Sequence, residues 1–294
     1  MYVWRKFMKI VVATDSSSGI TVEEADRLHI PVMPIPFIIN GEEYFEHINM
    51  DRSQFYQKLS DQAEISTSQP SYTAIVDFFK EQLKDADALI YIPISSGLSG
   101  SCQTAKMIAE DEFEGKVWVV DNQRISVSIR QAVLDARKLA AEGKTPQEIH
   151  DLLIETKFDT SIYIVLDTLT YLARGGRLTP AVAMIGNVLN LKPVLQIQGE
   201  KLDAYAKTRG QKKGIKIMLE ALKEDLSTKY KAYDEAGEMY LQIAHTNCPE
   251  RAEELRQRME QEFPGYEIFV ADLPLEVACH LGENALGVAC TRRL

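Results

Sequence analysis

Strand-like and helix-like segments alternate along the first half of this chain, and that alternation limits the folds available to it. Apolar runs over 9–14 and 87–94 are typical of buried strands, and each ends in a polar loop that leads into a helical segment. Parallel neighbours in a sheet need a crossover connection, which is usually a helix. The sequence therefore predicts an α/β fold in which sheets built from βα units are flanked by helices.

Capping residues and turn signals locate several element boundaries. Thr145 and Glu148 have the spacing of a capping box, and Thr21 and Glu24 have the same spacing. In such a box the threonine and the glutamate satisfy two backbone N–H groups of the first helical turn. Asn40-Gly41, which follows an extended segment, is a hairpin turn signal. We therefore expect helices after Thr21 and Thr145 and a hairpin at 40–41.

The pattern changes near residue 159, where a new strand is expected over 161–167. Farther along, the segment 194–198 is expected to turn back into 202–207 as a hairpin. The length of 294 residues also fits two domains of roughly 150 residues each. We therefore expect a tail over 1–8, an N-terminal α/β domain over 9–158 and a C-terminal α/β domain over 159–294.

The charge balance argues against a dedicated nucleic-acid-binding protein. The chain carries 33 Lys and Arg residues against 43 Asp and Glu residues, which gives a net charge of −10, whereas nucleic-acid affinity depends on many basic contacts to phosphates. The sequence has no apolar run near the roughly 18 residues that span a membrane. Its four cysteines form no CxxC pair, which is typical of free thiols. We therefore expect a cytoplasmic protein without a transmembrane segment or a nucleic-acid partner.

Two hydroxyl-rich loops precede predicted helices. Ser66-Thr67-Ser68 leads into a helix that begins near Pro70, and the loop 95–101 (SSGLSGS) leads into a helix near Cys102. Helix N-termini present unpaired N–H groups and a partial positive charge, and glycine lets an anion approach the backbone. The hydroxyls could be ordinary N-cap residues, although the two loops hold more of them than capping requires. A shared anion site and simple capping both remain open on this reasoning.

The second loop does not match a nucleotide-binding or hydrolase motif. The sequence has neither GxxxxGK[ST] nor GxGxxG after a strand. The stretch 97–100 (GLSG) resembles a nucleophile elbow, but Ser101 stands where that motif needs its second glycine. A serine hydrolase or phosphotransfer enzyme that uses Ser96 or Ser99 with His280 is therefore only the competing hypothesis.

His280 is a further candidate anion ligand because it lies in a predicted glycine-containing loop, 279–287, and imidazole titrates near neutral pH. An ordinary, partly exposed histidine is the alternative interpretation. Adjacent Cys279 does not make a metal site, since the sequence shows no second ligand pair at a suitable spacing. We expect neither a metal nor a cofactor.

Clustered arginines and one apolar segment are candidate surfaces for larger ligands. Arg174 and Arg177 flank a Gly-Gly turn, and Arg209 lies in a second basic segment. Guanidinium groups are well suited to phosphate or to the carboxylates of another protein. The predicted apolar helix around 181–189 mixes small and flexible side chains, which can line a ligand cavity or pack in an ordinary core.

Taken in order, these motifs resemble those of the DegV family of bacterial fatty-acid-binding proteins, which includes the acyl-binding subunits of fatty acid kinase. The likeness runs collinearly from Lys9 onwards. It rests on Thr14-Asp15-Ser16-Ser17, Thr67-Ser68-Gln69-Pro70-Ser71, the loop 94–101 (ISSGLSGS), the segment 172–178 (LARGGRL), Lys192-Pro193 and His280-Leu281-Gly282.

The resemblance implies a two-domain DegV-like fold that holds a long-chain fatty acid, with its carboxylate at the domain junction. The protein would have no catalytic turnover of its own. A separate ATP-dependent kinase would phosphorylate the bound acid to an acyl phosphate for phospholipid synthesis. The residues implied are Thr67, Ser68, Ser95, Ser96 and His280 for the carboxylate, Met184, Ile185, Val188 and Leu189 for the acyl chain, and Arg174, Arg177 and Arg209 for kinase or phosphate docking.

Overall fold

Three β-sheets organise the computed structural model, which describes residues 8–179, 193–199 and 201–294. The strands are β1 (Ile10–Asp15), β2 (Val32–Met33), β3 (Phe37–Ile39), β4 (Glu42–Tyr44), β5 (Ile65–Thr67), β6 (Ala88–Ile92), β7 (Val117–Val119), β8 (Thr160–Val165), β9 (Val194–Ile197), β10 (Leu202–Ala206), β11 (Met239–His245), β12 (Ile268–Asp272) and β13 (Leu286–Arg292). The helices are α1 (Val22–Leu28), α2 (Arg52–Ser60), α3 (Tyr72–Gln82), α4 (Ser101–Glu112), α5 (Val127–Ala141), α6 (Pro146–Glu155), α7 (Thr170–Gly175), α8 (Gln211–Ser227), α9 (Lys231–Glu235), α10 (Pro249–Glu262) and α11 (Leu275–Leu281).

The first sheet is parallel and has the order β2-β1-β6-β7. Every residue of its strand β6 is buried, as expected for a strand covered on both faces. Helices α3 and α4 pack on one face and α5 and α6 on the other. A 3₁₀ turn, Ser16–Ser18, follows β1 directly. The predicted α/β fold with helices flanking a βα-built sheet is therefore confirmed.

The six-stranded sheet has the order β10-β9-β8-β13-β11-β12 and is largely antiparallel, with only β11 and β12 paired in parallel. Strands β9 and β10 form the hairpin that the sequence predicts, with Ile197 opposite Leu202. Helices α8 and α10 cover one face. All strands of this sheet come from residues after 159, whereas the other two sheets use earlier residues. The exact boundary at 158/159 stays a prediction.

The smallest sheet, β4-β3-β5, positions one of the hydroxyl-rich loops. Its β3–β4 connection is the expected turn, in which Asn40 and Gly41 have φ values of 52° and 84°, as a type I′ hairpin requires. Strand β5 ends at Thr67, which lies opposite Phe37. Phe37 belongs to a core cluster that includes Leu275 of α11. The small sheet therefore packs Thr67 against α11.

The two capping predictions have different outcomes. At α6 the box is complete, since the Thr145 side chain accepts from the Glu148 N–H and the Glu148 carboxylate accepts from the Thr145 N–H. At α1 the Thr21 side chain accepts from the Glu24 N–H, but the Glu24 carboxylate accepts two hydrogen bonds from Arg130 of α5 at 2.8 and 2.5 Å. The prediction of a full box at Thr21 is wrong because a bidentate ion pair occupies its carboxylate.

Two further expectations concern the cysteines and the membrane. All four cysteines are buried free thiols, as the sequence predicts. Of the helices in the described ranges, none combines the length and the apolar character needed to cross a membrane.

We predict that Gly214→Ala destabilises the protein, although alanine is the better helix former by about 1 kcal/mol. A Cβ atom at Gly214 of α8 would lie 2.5 Å from Cγ1 of buried Val165, and such overpacking typically costs about 1–3 kcal/mol. Urea unfolding followed by circular dichroism measures the change. Gly210→Ala is the matched control, since its Cβ would have no neighbour within 4 Å. An unfolding midpoint for Gly214→Ala at or above that of the wild type would contradict the packing argument.

Candidate functional site

A cavity of about 240 Å³ lies between the loops of the first sheet and the face of the six-stranded sheet that α8 and α10 leave uncovered. Its wall is largely apolar. The apolar lining includes Leu98, Ile125, Ile162, Ile164, Leu172 and Val277. Its polar lining residues are Ser17, Thr67, Ser68, Gln69, Ser99, Ser126, Arg177, Glu276 and His280. A concave, largely apolar space with a few polar groups is the usual form of a small-molecule site.

His280 lies in helix α11 and not in the loop that the sequence predicts. The residues that precede His280 in the helix are largely apolar, and Gly282 ends the helix. Residues 276, 277, 280 and 281 line the cavity, which is the spacing of one helical face. The Nε2 atom of His280 lies 2.9 Å from Oγ1 of Thr67 at the end of β5. This hydrogen bond joins a predicted histidine to a predicted hydroxyl across 213 residues of sequence.

The His280 imidazole is neutral at physiological pH. Burial, together with the nearby positive charge of Arg177, lowers its pKa from 6.5 to about 4. The expectation that this side chain titrates near neutral pH is therefore wrong, because the sequence does not show its desolvation. A neutral imidazole has one N–H donor and one acceptor nitrogen. It can hydrogen-bond a ligand oxygen without placing a second charge in the cavity wall.

Two glycines allow α7 and α11 to interlock beside this pair. A Cβ atom on Gly175 would lie 2.4 Å from Nδ1 of His280, and one on Gly282 would lie 2.6 Å from Cε2 of Tyr171. The His280 ring of α11 therefore packs against Gly175 of α7, and the Tyr171 ring of α7 packs against Gly282 at the end of α11. The Arg-Gly-Gly-Arg and His-Leu-Gly motifs, which are far apart in sequence, form one packing unit.

Arg177 brings a positive charge to the cavity. Its Nε donates to the Leu98 carbonyl at 3.2 Å, and its Nη1 donates to the Gly175 carbonyl. These bonds hold the half-buried side chain between the second hydroxyl loop and the α7 turn. Within the described ranges no carboxylate forms an ion pair with it. The cavity wall thus contains a fixed cation whose counter-charge the described residues do not supply.

The other two predicted arginines lie elsewhere. Arg174 and Arg209 are exposed and do not line the cavity. Their docking role stays a prediction. Unlike Arg177, these two arginines lie outside the cavity wall. The predicted acyl-chain residues Met184, Ile185, Val188 and Leu189 lie outside the described residues.

The serines of the 95–101 loop divide into two groups. Ser99 lines the cavity, whereas Ser95 and Ser96 are not among its described lining residues. The Ser95 hydroxyl accepts from the Gly97 N–H at 3.2 Å, and the Ser96 N–H and hydroxyl both bond to Asp121. A carboxylate-binding role for Ser95 and Ser96 therefore stays a prediction, and their observed contacts stabilise the loop.

The geometry gives little support to the hydrolase hypothesis. An activated serine needs a base within hydrogen-bond reach, but the hydrogen bond observed for His280 goes to Thr67, and its lowered pKa makes it a weak base. The Ser99 hydroxyl donates to Ser101 Oγ at 3.0 Å. Among the residues the structure describes, no group of three His, Cys, Asp or Glu side chains is placed to hold a metal ion.

Sequence reasoning missed two polar residues of the wall, Glu276 and Ser126. Glu276 is 5% exposed, and burial, with Glu46 and Asp15 nearby, raises its pKa to about 8. It is therefore largely protonated at neutral pH. Its place within the apolar run 275–279 was a usable signal, because an unpaired acid is seldom buried. Ser126 offered no comparable signal.

The chain is similar to known proteins over nearly its whole length. A family model described as "Uncharacterised protein, DegV family" matches residues 9–293. Protein DegV of Bacillus subtilis is 31% identical over 283 residues, covering 96% of this chain and 98% of that protein. A DegV domain-containing protein of Streptococcus pneumoniae is 32% identical over 286 residues, with 96% and 98% covered.

Solved structures agree with the sequence relatives. A DegV family protein from Thermus thermophilus, described by its fatty acid binding, matches with a TM-score of 0.85 at 30% identity, covering 97% of this chain and 100% of that one. DegV from Bacillus subtilis, described as a fatty acid binding protein, gives the same TM-score, identity and coverage. The fatty acid binding DegV family protein SAG1342 from Streptococcus agalactiae gives 0.87 at 27%, with 98% and 100% covered. The resemblance seen in the motifs is confirmed, and the chain belongs to the DegV family.

Proposed function

We propose that this protein binds a long-chain fatty acid, with its carboxylate beside Thr67, Ser68 and His280 and its acyl chain in the apolar cavity. The observation that carries the proposal is the Thr67–His280 pair next to Arg177, a cation without a carboxylate partner among the described residues, in an otherwise largely apolar wall. A carboxylate would supply the missing counter-charge, and charge-assisted hydrogen bonds are the strong ones.

The apolar wall accounts for the rest of such a ligand. Burial of each methylene group contributes about 0.8 kcal/mol, so a chain of C14 to C18 would gain most of its affinity from residues such as Ile162 and Ile164. A carboxylate buried without partners would lose much of that gain. The solved relatives at 27–30% identity that are described as fatty acid binding support the same ligand class.

The hydroxyl ligands can be ranked from their positions. Ser68 and Ser99 line the cavity, while the Ser95 hydroxyl accepts from the Gly97 N–H and Ser96 bonds to Asp121. We propose that Ser68 and Ser99 contact the carboxylate and that Ser95 and Ser96 hold the loop which presents Ser99.

We further propose that the bound acid is presented to a separate ATP-dependent kinase. The kinase would transfer the γ-phosphoryl group of ATP to a carboxylate oxygen, releasing ADP and leaving an acyl phosphate for phospholipid synthesis in the cytoplasm. Ser68, Gln69 and Gly100 line the cavity and are also exposed, so the polar end reaches the surface. Exposed Arg174 and Arg209 would bind acidic groups of the partner.

Protein purified gently from a bacterial host should carry a fatty acid. Native mass spectrometry is expected to show a complex heavier by the mass of a C14 to C18 acid, and extraction followed by lipid analysis identifies it. The denatured protein serves as the control for covalent adducts. A native spectrum with only the free chain, in protein that also fails to bind added palmitate, would contradict the proposal.

Replacing His280 should weaken binding without unfolding the protein. We expect His280→Ala to reduce palmitate affinity by roughly 1–3 kcal/mol, since a buried carboxylate loses a hydrogen-bond partner. Isothermal titration of delipidated protein measures this. His150→Ala, at a histidine on helix α6 remote from the cavity lining, is the matched control and should bind as the wild type does. Equal affinity in the two variants would remove His280 from the site.

Binding should weaken as the pH rises above about 8. Glu276 is protonated below its pKa of about 8 and becomes negative above it, beside Asp15 and Glu46. One helical turn from His280, that charge would repel the ligand carboxylate by roughly 2–3 kcal/mol at an effective dielectric constant of about 20. Palmitate titrations from pH 7 to pH 9.5 should show the loss in the wild type. The isosteric Glu276→Gln should show none, and a parallel loss in both proteins would exclude Glu276 as its source.

A further inference from the structure

Two buried oxygen atoms of cavity-lining residues have no hydrogen-bond partner: Oε2 of Glu276 and Oγ of Ser126. Each residue is only 5% exposed. Buried polar atoms are nearly always paired, and each exception needs an explanation. Of the unpaired side-chain atoms found in the described part of the chain, these two alone belong to residues that line the cavity. The same wall therefore holds two unused polar groups.

Ser16 pairs one of the two carboxyl oxygens of Glu276 and leaves the other unpaired. Ser16 Oγ accepts from the Ile35 N–H at 3.0 Å and donates its single proton to Glu276 Oε1 at 2.5 Å. Oε1 is therefore an acceptor. Oε2 is the carboxyl oxygen left unpaired by this arrangement, and the protonated group can donate a hydrogen bond from it.

Ser126 and Glu276 hydrogen-bond to adjacent residues of the same 3₁₀ turn. Its N–H donates to the Ser17 carbonyl at 2.9 Å, one residue from the Ser16 hydroxyl that bonds Glu276. Ser126 has φ 54° and ψ −132°, a backbone region that favours glycine. The chain thus keeps a hydroxyl at a position where glycine would be less strained. Ser126 lines the cavity, and its buried Oγ has no hydrogen-bond partner.

We propose that Glu276 and Ser126 form a second polar subsite, which binds a hydroxyl or keto oxygen on the carboxyl-proximal carbons of an acyl chain. This inference rests on the proposed fatty-acid-binding function. The Glu276 carboxyl donates to the ligand oxygen, and the Ser126 hydroxyl donates to it or accepts from it. A methylene group offers neither contact, so an unsubstituted chain leaves both protein atoms unpaired.

The position of the substituent follows from the helix. Glu276 precedes His280 by four residues on α11, which corresponds to about 6 Å along the helix axis. Since His280 contacts the carboxylate in the proposed complex, the second oxygen lies within the first few carbons of the chain. An oxygen at the methyl end would be too distant.

Four acids of equal chain length test this subsite. Palmitate, each enantiomer of 3-hydroxypalmitate, and 16-hydroxypalmitate are titrated into delipidated full-length protein at pH 7. We expect one enantiomer of 3-hydroxypalmitate to bind roughly three- to tenfold more tightly than palmitate, the effect of one additional hydrogen bond. We expect 16-hydroxypalmitate to gain nothing. A wild-type protein that binds neither 3-hydroxy enantiomer more tightly than palmitate overturns the inference.

Variants of Glu276 and Ser126 test whether these residues cause the preference for the hydroxy acid. Glu276→Leu should reverse the preference for 3-hydroxypalmitate over palmitate, because the ligand hydroxyl is then buried without a partner. Glu276→Gln keeps a hydrogen-bond donor and should retain the preference. Ser126→Ala should reduce it. Glu254→Leu, at an exposed glutamate of α10, is the matched control. An unchanged ratio of affinities in Glu276→Leu would also overturn the subsite.

The outcomes separate the two proposals. If palmitate binds and the hydroxyl brings no preference, only the second subsite fails. If none of the acids binds, the fatty-acid-binding function itself fails. Circular dichroism of each variant confirms that a lost preference does not come from unfolding.

Discussion

The close approach of α7 and α11 determines the geometry of the site. Gly175 gives His280 space that no Cβ atom could share, and Gly282 does the same for Tyr171. His280, fixed in this way, reaches Thr67 on the small sheet, and the α7 turn carries Arg177 to the Leu98 carbonyl. Loops from three sheets are thus brought to one cavity by a contact between two short helices. Helix packing this tight transmits any change at the glycines directly to the polar end of the cavity.

The electrostatics of the cavity explain how a chain with net charge −10 can offer an anion site. Burial keeps His280 neutral by lowering its pKa, and it keeps Glu276 largely neutral at pH 7 by raising its pKa. Arg177 is then the charge that dominates the wall among the described lining residues. In a poorly solvated space one such cation acts over a longer range than it would in water. The surface charge of the protein and the charge of its cavity are therefore separate properties.

The sequence predicts local features of this protein better than those that depend on desolvation. The alternation of apolar segments and the capping residues located the βα units, and the predicted hydroxyl loop 66–68 contributes Thr67 and Ser68 to the cavity wall. The Gly-rich end motif suggested a loop at His280, but packing against Leu172 and the small sheet stabilises a short helix there. The pKa values of His280 and Glu276 depend on burial and on charges from residues far away in sequence. No local pattern contains that information.

Glu276 affects stability as well as recognition. Its folded pKa of about 8 exceeds the ordinary value of 4.5, so the folded chain retains a proton that the unfolded chain releases, and stability falls by about 1.4 kcal/mol per pH unit between these values. His280, with its pKa lowered from 6.5 to about 4, has the opposite slope in its own range. The two contributions offset one another between about pH 4.5 and 6.5, and that of Glu276 remains from about 6.5 to 8. In the proposed complex, a hydrogen-bond partner for Oε2 would offset part of this cost.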